Sequence, residues 1–203
     1  MTITASIAAG QRVGLLGGSF NPAHQGHIEI TEAARRQLRL DQCWWLVSPG
    51  NPLKDPSIYG ALDDRCALAS AMAQGRPWLR VTAIEDRLGT RYTIDTLKAL
   101  TTRFASTRFV WLMGADNLAS FHQWRDWRGI AAAMPICVVS RPGYAQAALA
   151  SPAARVLAQY RRREEEAVNL ASLTPPAWIY LSAVHNPISS TALRAAEDPF
   201  SKS

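Results

Sequence analysis

A chain of 203 residues, 48% of them apolar, is long enough to bury a core of its own. Its three cysteines, Cys43, Cys66 and Cys137, are odd in number, far apart and without a C-x-x-C pair, so they suggest neither a disulfide framework nor a zinc site and fit a reducing cytoplasm best. The net charge of +6 is scattered apart from "QYRRREEEAV", so it reads as attraction for small polyphosphates or as plain solubility rather than as a nucleic-acid surface; no leader pattern and no run of eighteen apolar residues suggests export or a membrane partner.

In chain order, short apolar runs closed by Gly, Pro or Ser predict strands over 12–18, 42–49, 79–84, 108–114, 136–142 and 177–183. Between them, apolar residues at three- and four-residue spacing predict helices over 26–39, 61–74 and 93–104. The stretch 144–173, Ala-rich and then charged, reads as one or two surface helices. The alternation predicts an α/β fold: a Rossmann-like open parallel sheet of about six strands with helices on both faces, in a single domain over 1–203, with 1–10 and 197–203 as tails. In such sheets the ligand crevice lies beyond the carboxyl ends of the strands, where the strand order reverses.

The first strand runs into "GGSFNPAHQGH", residues 17–27. Glycines let backbone N–H groups approach an anion, and a helix beginning near Gly26 adds partial positive charge at its N-terminus. The pattern is neither G-x-G-x-x-G nor a P-loop. His24 lies in the turn and His27 in the first helical turn, so both rings can face whatever that terminus holds. A metal site would want a third ligand, and the nearest acid, Glu29, is two residues from His27 and should face elsewhere.

With "ISSTALR" at 188–194, these residues carry a resemblance. His24-Gln25-Gly26-His27 matches the H-x-G-H signature of the nucleotidylyltransferase superfamily, and Ile188 to Arg194 matches its I-S-S-T-x-x-R signature. "NPLK" (51–54), "RYTIDTL" (91–97), "GADNL" (114–118), Trp124 and "SRPGY" (140–144) follow in the order shown by bacterial nicotinate-nucleotide adenylyltransferases, so the chain resembles that family over about residues 12–195. The family usually carries a further helix after the I-S-S-T helix, whereas only "AAEDPFSKS" follows Arg194 here.

The resemblance implies joining the phosphate of nicotinate mononucleotide to the α-phosphorus of ATP, with release of pyrophosphate. A phosphate monoester is already a dianion at neutral pH, so no nucleophile-base pair is required, and none is evident. What remains is positioning and charge stabilisation. The resemblance assigns catalysis to His24, His27, Lys54 and Arg194. It assigns ATP contacts to Gly17, Gly18, Ser19, Phe20, His24, His27, Asp116, Ile188, Ser189, Ser190, Thr191 and Arg194, with Asp116 suited to a ribose hydroxyl or to capping the next helix. Ser189, Ser190 and Thr191 are N-cap residue types whose hydroxyls and neighbouring N–H groups can hold phosphate. Asn21, Thr93, Trp124 and Arg141 are assigned to the mononucleotide, Trp124 as a stacking surface and Arg141 as phosphate ligand. Mg²⁺ is expected to arrive on the ATP phosphates, with no metal site of the protein's own.

Other readings use the same fold with nicotinamide mononucleotide or a pantetheine phosphate as acceptor, or keep it as a non-catalytic nucleotide sensor. RNA binding fits least, since the chain is short and has no K-M-S-K-like loop. Oligomeric state is not written in the sequence.

Overall fold

Successive residues of the strands point to opposite sides of the sheet and are buried on both. Val13 and Leu15, Trp44 and Leu46, Trp111 and Met113 enter one core layer, while Leu16, Trp45, Leu112 and Cys137 enter the other. A strand buried on both faces needs helices on both, which is why apolar runs here are nearly continuous.

The structure is a computed structural model, and it describes residues 8–50 and 59–182. Lys54, Ile188, Ser189, Ser190, Thr191 and Arg194 lie outside the described residues, as do residues 1–7 and 197–203 of the expected tails. The strands are β1 (Arg12–Gly18), β2 (Gln42–Val47), β3 (Leu79–Thr82), β4 (Arg108–Gly114), β5 (Ile136–Val139), β6 (Arg161–Arg162) and β7 (Trp178–Leu181). The helices are α1 (Gln25–Leu38), α2 (Leu62–Ala73), α3 (Ile84–Leu88), α4 (Thr93–Arg103), α5 (Ala115–Ser120), α6 (Trp127–Ala133), α7 (Ala145–Leu149) and α8 (Pro152–Val156). All pairings are parallel, in the order β3-β2-β1-β4-β5-β7-β6. The α/β fold with an open parallel sheet is as the sequence predicts.

The sheet has seven strands rather than about six. The extra strand, β6, places Arg161 and Arg162 beside Trp178 and Ile179 at the sheet edge, and both arginines are exposed. Two charged residues have no apolar alternation to read, and only the neighbouring backbone of β7 makes them a strand. The rest of 144–173 also departs from one or two surface helices. It forms α7, α8, and 3-10 segments Ala158–Tyr160 and Glu164–Ser172, and it buries Ala148, Ala153, Ala167 and Leu170 in the two core layers. Alanine faces are short enough to lie close to a sheet, so this segment covers it.

Helix α1 buries Ile28, Ala34 and Leu38 against the sheet and ends at Arg39, whose φ of 50° is left-handed. Arg35 and Arg36 in its last turn complement the negative end of the helix dipole. The helix therefore points its N-terminus, with the H-x-G-H residues, at the carboxyl end of β1.

Candidate active site

Strands β1 and β4 are neighbours, with β2 and β3 on one side and β5, β7 and β6 on the other. Chain order reverses between them, which opens a crevice beyond their carboxyl ends. Gly17 and Gly18 end β1, Gly114 ends β4, and Ser140-Arg141 follow β5, so these three motifs lie at the carboxyl ends that border the crevice.

His24 is the N-cap residue of α1, with extended backbone, and its ring lies 3.8 Å from that of His27, centre to centre. The His24 backbone N–H donates to His27 Nδ1 at 3.1 Å. With Nδ1 accepting, the proton of a neutral His27 ring sits on Nε2, which makes that nitrogen a donor. The same ring packs against Phe20, at 4.6 Å between centres, and meets the edge of Trp45 at 5.8 Å. Beneath it, the Trp45 indole N–H donates to Thr31 Oγ1 at 2.8 Å, and the Thr31 hydroxyl donates to the His27 carbonyl at 2.6 Å. His27 is thus held from both its ring and its backbone.

His24 is buried, and its Nδ1 has no hydrogen-bond partner. Burial, and then the positive charge of Arg141, lower its pKa to about 4. Burial, His24 and Arg141 hold His27 well below the ordinary imidazole value as well. Both rings are therefore neutral at pH 7 in the free protein. Each neutral ring keeps one N–H that can donate to an anion.

Arg141, itself buried, donates from Nη1 to Asp116 Oδ2 at 3.0 Å. Arg141 Nε and Asp116 Oδ1 are buried without partners. A Cβ on Gly114 would collide with that Asp116 oxygen, so the glycine leaves the carboxylate room to turn across the strand end. Asp116 stands in the first turn of α5, whose N-cap is Gly114, and pairs with Arg141 rather than capping the helix. Gly17 has a comparable packing reason, because a Cβ there would meet the Trp111 indole.

Thr93 is the first residue of α4, and Trp124 is half-buried between Phe121 and Trp111, with ring centres 5.5 and 6.4 Å away. The guanidinium of Arg125 stacks 4.3 Å over the Tyr92 ring, so the segments that carry Trp124 and Thr93 touch through their neighbouring residues. Asn21 turns toward the far side of the β1 turn, where its Oδ1 accepts from the Gly60 N–H at 3.2 Å. Ser19 and Phe20 form the turn between, Phe20 with a left-handed φ of 46°.

The cytidylyltransferase-like family model matches residues 15–196. The chain belongs to that family. It is 51% identical over 183 residues to the probable nicotinate-nucleotide adenylyltransferase of Bradyrhizobium sp. (strain ORS 278), covering 90% of this chain and 95% of the relative. It is 49% identical over 185 residues to the protein of that name from Rhizobium meliloti (strain 1021), covering 91% and 98%. In three dimensions it is similar to a Plasmodium falciparum nicotinic acid mononucleotide adenylyltransferase complexed with APC, with a TM-score of 0.65 at 13% identity, over 91% of this chain and 82% of that one. That likeness is one of fold.

Two buried charged residues lie outside the family motifs. Arg65, on α2, is buried and donates to four backbone carbonyls around the turns after β1 and β2. Glu85 is buried at the start of α3, where burial raises its carboxyl to about pH 7. Thr96, one turn along α4 from Thr93, donates to Glu85 Oε1 at 3.4 Å, and its Oγ1 lies 2.8 Å from that of Thr90. Arg65 had one legible signal: it occupies the i position of an i, i+4, i+8 line with Ala69 and Ala73, the buried stripe of α2. A charge on a core stripe is unusual enough to mark a buried network. Glu85 had none, since its neighbours "IEDRL" read as an ordinary acidic turn.

Proposed function

We propose that the protein transfers the adenylyl group of ATP to nicotinate mononucleotide, giving nicotinate adenine dinucleotide and pyrophosphate. The observation that carries this reading is the His24–His27 pair at the α1 N-terminus: two neutral rings, one with its tautomer set by a backbone donor, at the point where the strand order reverses. The names of the relatives supply the acceptor.

A phosphate oxygen of the mononucleotide attacks the α-phosphorus. The bond from that phosphorus to the bridging oxygen of the β-phosphate breaks, and pyrophosphate leaves with the electron pair. No proton has to be removed from the nucleophile, so the protein works by alignment and charge stabilisation. His27, donating from Nε2, stabilises charge developing on the α-phosphoryl oxygens, and His24 assists beside it. The free N–H groups of the α1 N-terminus add to the field around Gly17, Gly18, Ser19 and Phe20. Arg141 receives the mononucleotide phosphate, exchanging part of its pairing with Asp116 for a phosphate oxygen. Asp116 is then available to accept from a ribose hydroxyl. Thr93 and Trp124 receive the nicotinate ring and its carboxylate, with Asn21 at the adjoining turn. Lys54, and Ile188 to Arg194 with Ser189, Ser190 and Thr191, complete the triphosphate contacts by their match to the family motifs.

Mg²⁺ belongs to this reading as a passenger of ATP. The cleft offers neutral imidazoles, a guanidinium and one carboxylate, a donor set that meets phosphate oxygens rather than enclosing a cation. When bound, the ion neutralises phosphate charge. No helix among the described residues is long and apolar enough to cross a membrane, and with three unpaired cysteines the cytoplasm is the compartment we assign.

The test is pyrophosphate release from ATP and Mg²⁺ with nicotinate or nicotinamide mononucleotide. Release that prefers the nicotinate acceptor is expected. No release with either acceptor overturns the reading, and a preference for the amide overturns its substrate.

A further inference from the structure

The guanidinium of Arg65 touches three separate pieces of chain. Nη1 donates to the carbonyls of Ser19 at 2.6 Å and Ser48 at 2.8 Å, Nη2 to that of Pro49 at 3.0 Å, and Nε to that of Gly60 at 2.9 Å. Ser19 lies in the turn after β1. Ser48 and Pro49 begin the connection from β2 to α2, and Gly60 closes it. One planar group therefore pins both ends of that connection and the β1 turn to a common point. Two further bonds run between the same pieces: Ser48 N–H donates to the Gly18 carbonyl at 2.9 Å, and Gly60 N–H to Asn21 Oδ1 at 3.2 Å.

We propose that Arg65 is a positioning residue for the transfer reaction, holding the Ser19–Asn21 turn in register with Ser48–Pro49 and Gly60 so that the cleft beside His24 and His27 keeps its shape. The inference rests on the adenylyl-transfer reading for what that register serves.

Two features separate this from ordinary packing. The position belongs to the buried stripe of α2, which Ala69 and Ala73 continue, so an apolar residue would serve a helix that only needed to pack. Among the described residues, every hydrogen bond of the guanidinium goes to a main-chain carbonyl and none to a carboxylate. Burying a cation is unfavourable unless its donors find acceptors, and among the described residues four of the five guanidinium N–H groups meet a carbonyl. Tyr59 covers the guanidinium from one side, its ring centre 5.6 Å away. A lysine ammonium is a point charge and cannot reproduce a planar fork that reaches four acceptors.

The test uses Arg65→Ala and Arg65→Lys in the full chain, with two readouts. In the first, hydrogen exchange is followed in peptides covering 18–22, 59–62 and, as a reference, β4. Exchange is expected to speed up at 18–22 and 59–62 together, to stay unchanged in β4, and to slow again when ethylguanidinium fills the space in Arg65→Ala. In the second, kcat/KM is expected to fall by about 100-fold in Arg65→Ala, the size of effect a small misplacement of reacting groups produces, and by about 10-fold or more in Arg65→Lys. Ethylguanidinium restores a large part of the loss in Arg65→Ala and leaves the wild type unaffected. A kcat/KM within about threefold of wild type overturns the proposal. So does a loss accompanied by uniform acceleration of exchange across β4, which is simple destabilisation, or a loss that ethylguanidinium does not reverse. If the wild type itself releases no pyrophosphate, the adenylyl-transfer reading fails by itself, and the exchange arm still decides whether Arg65 couples the two turns.

Discussion

Arg141 and Asp116, 25 residues apart in sequence, form an ion pair of 3.0 Å between the ends of β5 and β4, with the guanidinium more deeply buried than the carboxylate. The family resemblance assigns one to the mononucleotide and the other to ATP, and the fold makes them one unit. The same guanidinium lowers the pKa of both His24 and His27. Its charge is therefore felt at both imidazoles.

Replacing that charge has two separable consequences. In Arg141→Met the pKa of His24 rises from about 4 but stays below its ordinary 6.5, because burial is the larger cause and Arg141 the smaller. The KM for the mononucleotide rises by about 10-fold or more, as expected on losing a charge-assisted hydrogen bond. A ¹H NMR titration of the ring protons reads the first effect, and steady-state kinetics the second. A His24 pKa that does not move would contradict the proximity of the two groups.

His27 carries a prediction about where its proton sits. At pH 7, ¹⁵N chemical shifts should show a neutral ring with the proton on Nε2, since Nδ1 accepts the His24 N–H. His27→Ala should lower kcat by on the order of 100-fold or more while the KM for ATP changes little, as expected of a donor that acts mainly on transition-state charge. A proton found on Nδ1, or a loss confined to KM, would refute the assignment.

Glu85 and the two histidines push stability in opposite directions with pH. Glu85 keeps its proton in the folded chain up to about pH 7, against an ordinary 4.5. Between those values the folded state binds the proton that the unfolded state has released, so stability falls as pH rises through the window. His24 is lowered from 6.5 to about 4, so its contribution is lost as pH falls through that range. Glu85→Gln is expected to be more stable than the wild type at pH 8 and to lose that advantage near pH 5. The ceiling is about 3.5 kcal/mol, at about 1.4 kcal/mol per pKa unit. Urea unfolding of both proteins at the two pH values measures it, and an advantage independent of pH would count against the buried carboxyl.

The sequence by itself determined the parallel α/β architecture, because doubly buried strands must be written as short apolar runs and their covering helices as three- and four-residue spacing. It also determined which residues meet at the first strand end. Gly17 to His27 are contiguous, so their meeting depends on one turn and one helix start, both local. The six expected strands are found where Gly, Pro and Ser close them, although the third gives way at Thr82 to the short helix α3.

Only the tertiary structure decided which distant residues share a charge or a carbonyl. Arg141 finds Asp116 because β4 and β5 are neighbours in the sheet, and Arg65 finds Ser19, Ser48, Pro49 and Gly60 because α2 returns beneath the ends of β1 and β2. Neither pairing has a spacing in the sequence. The neutral state of His24 and the raised pKa of Glu85 are likewise products of burial, which is set by what the rest of the chain places around them rather than by their own neighbours in sequence.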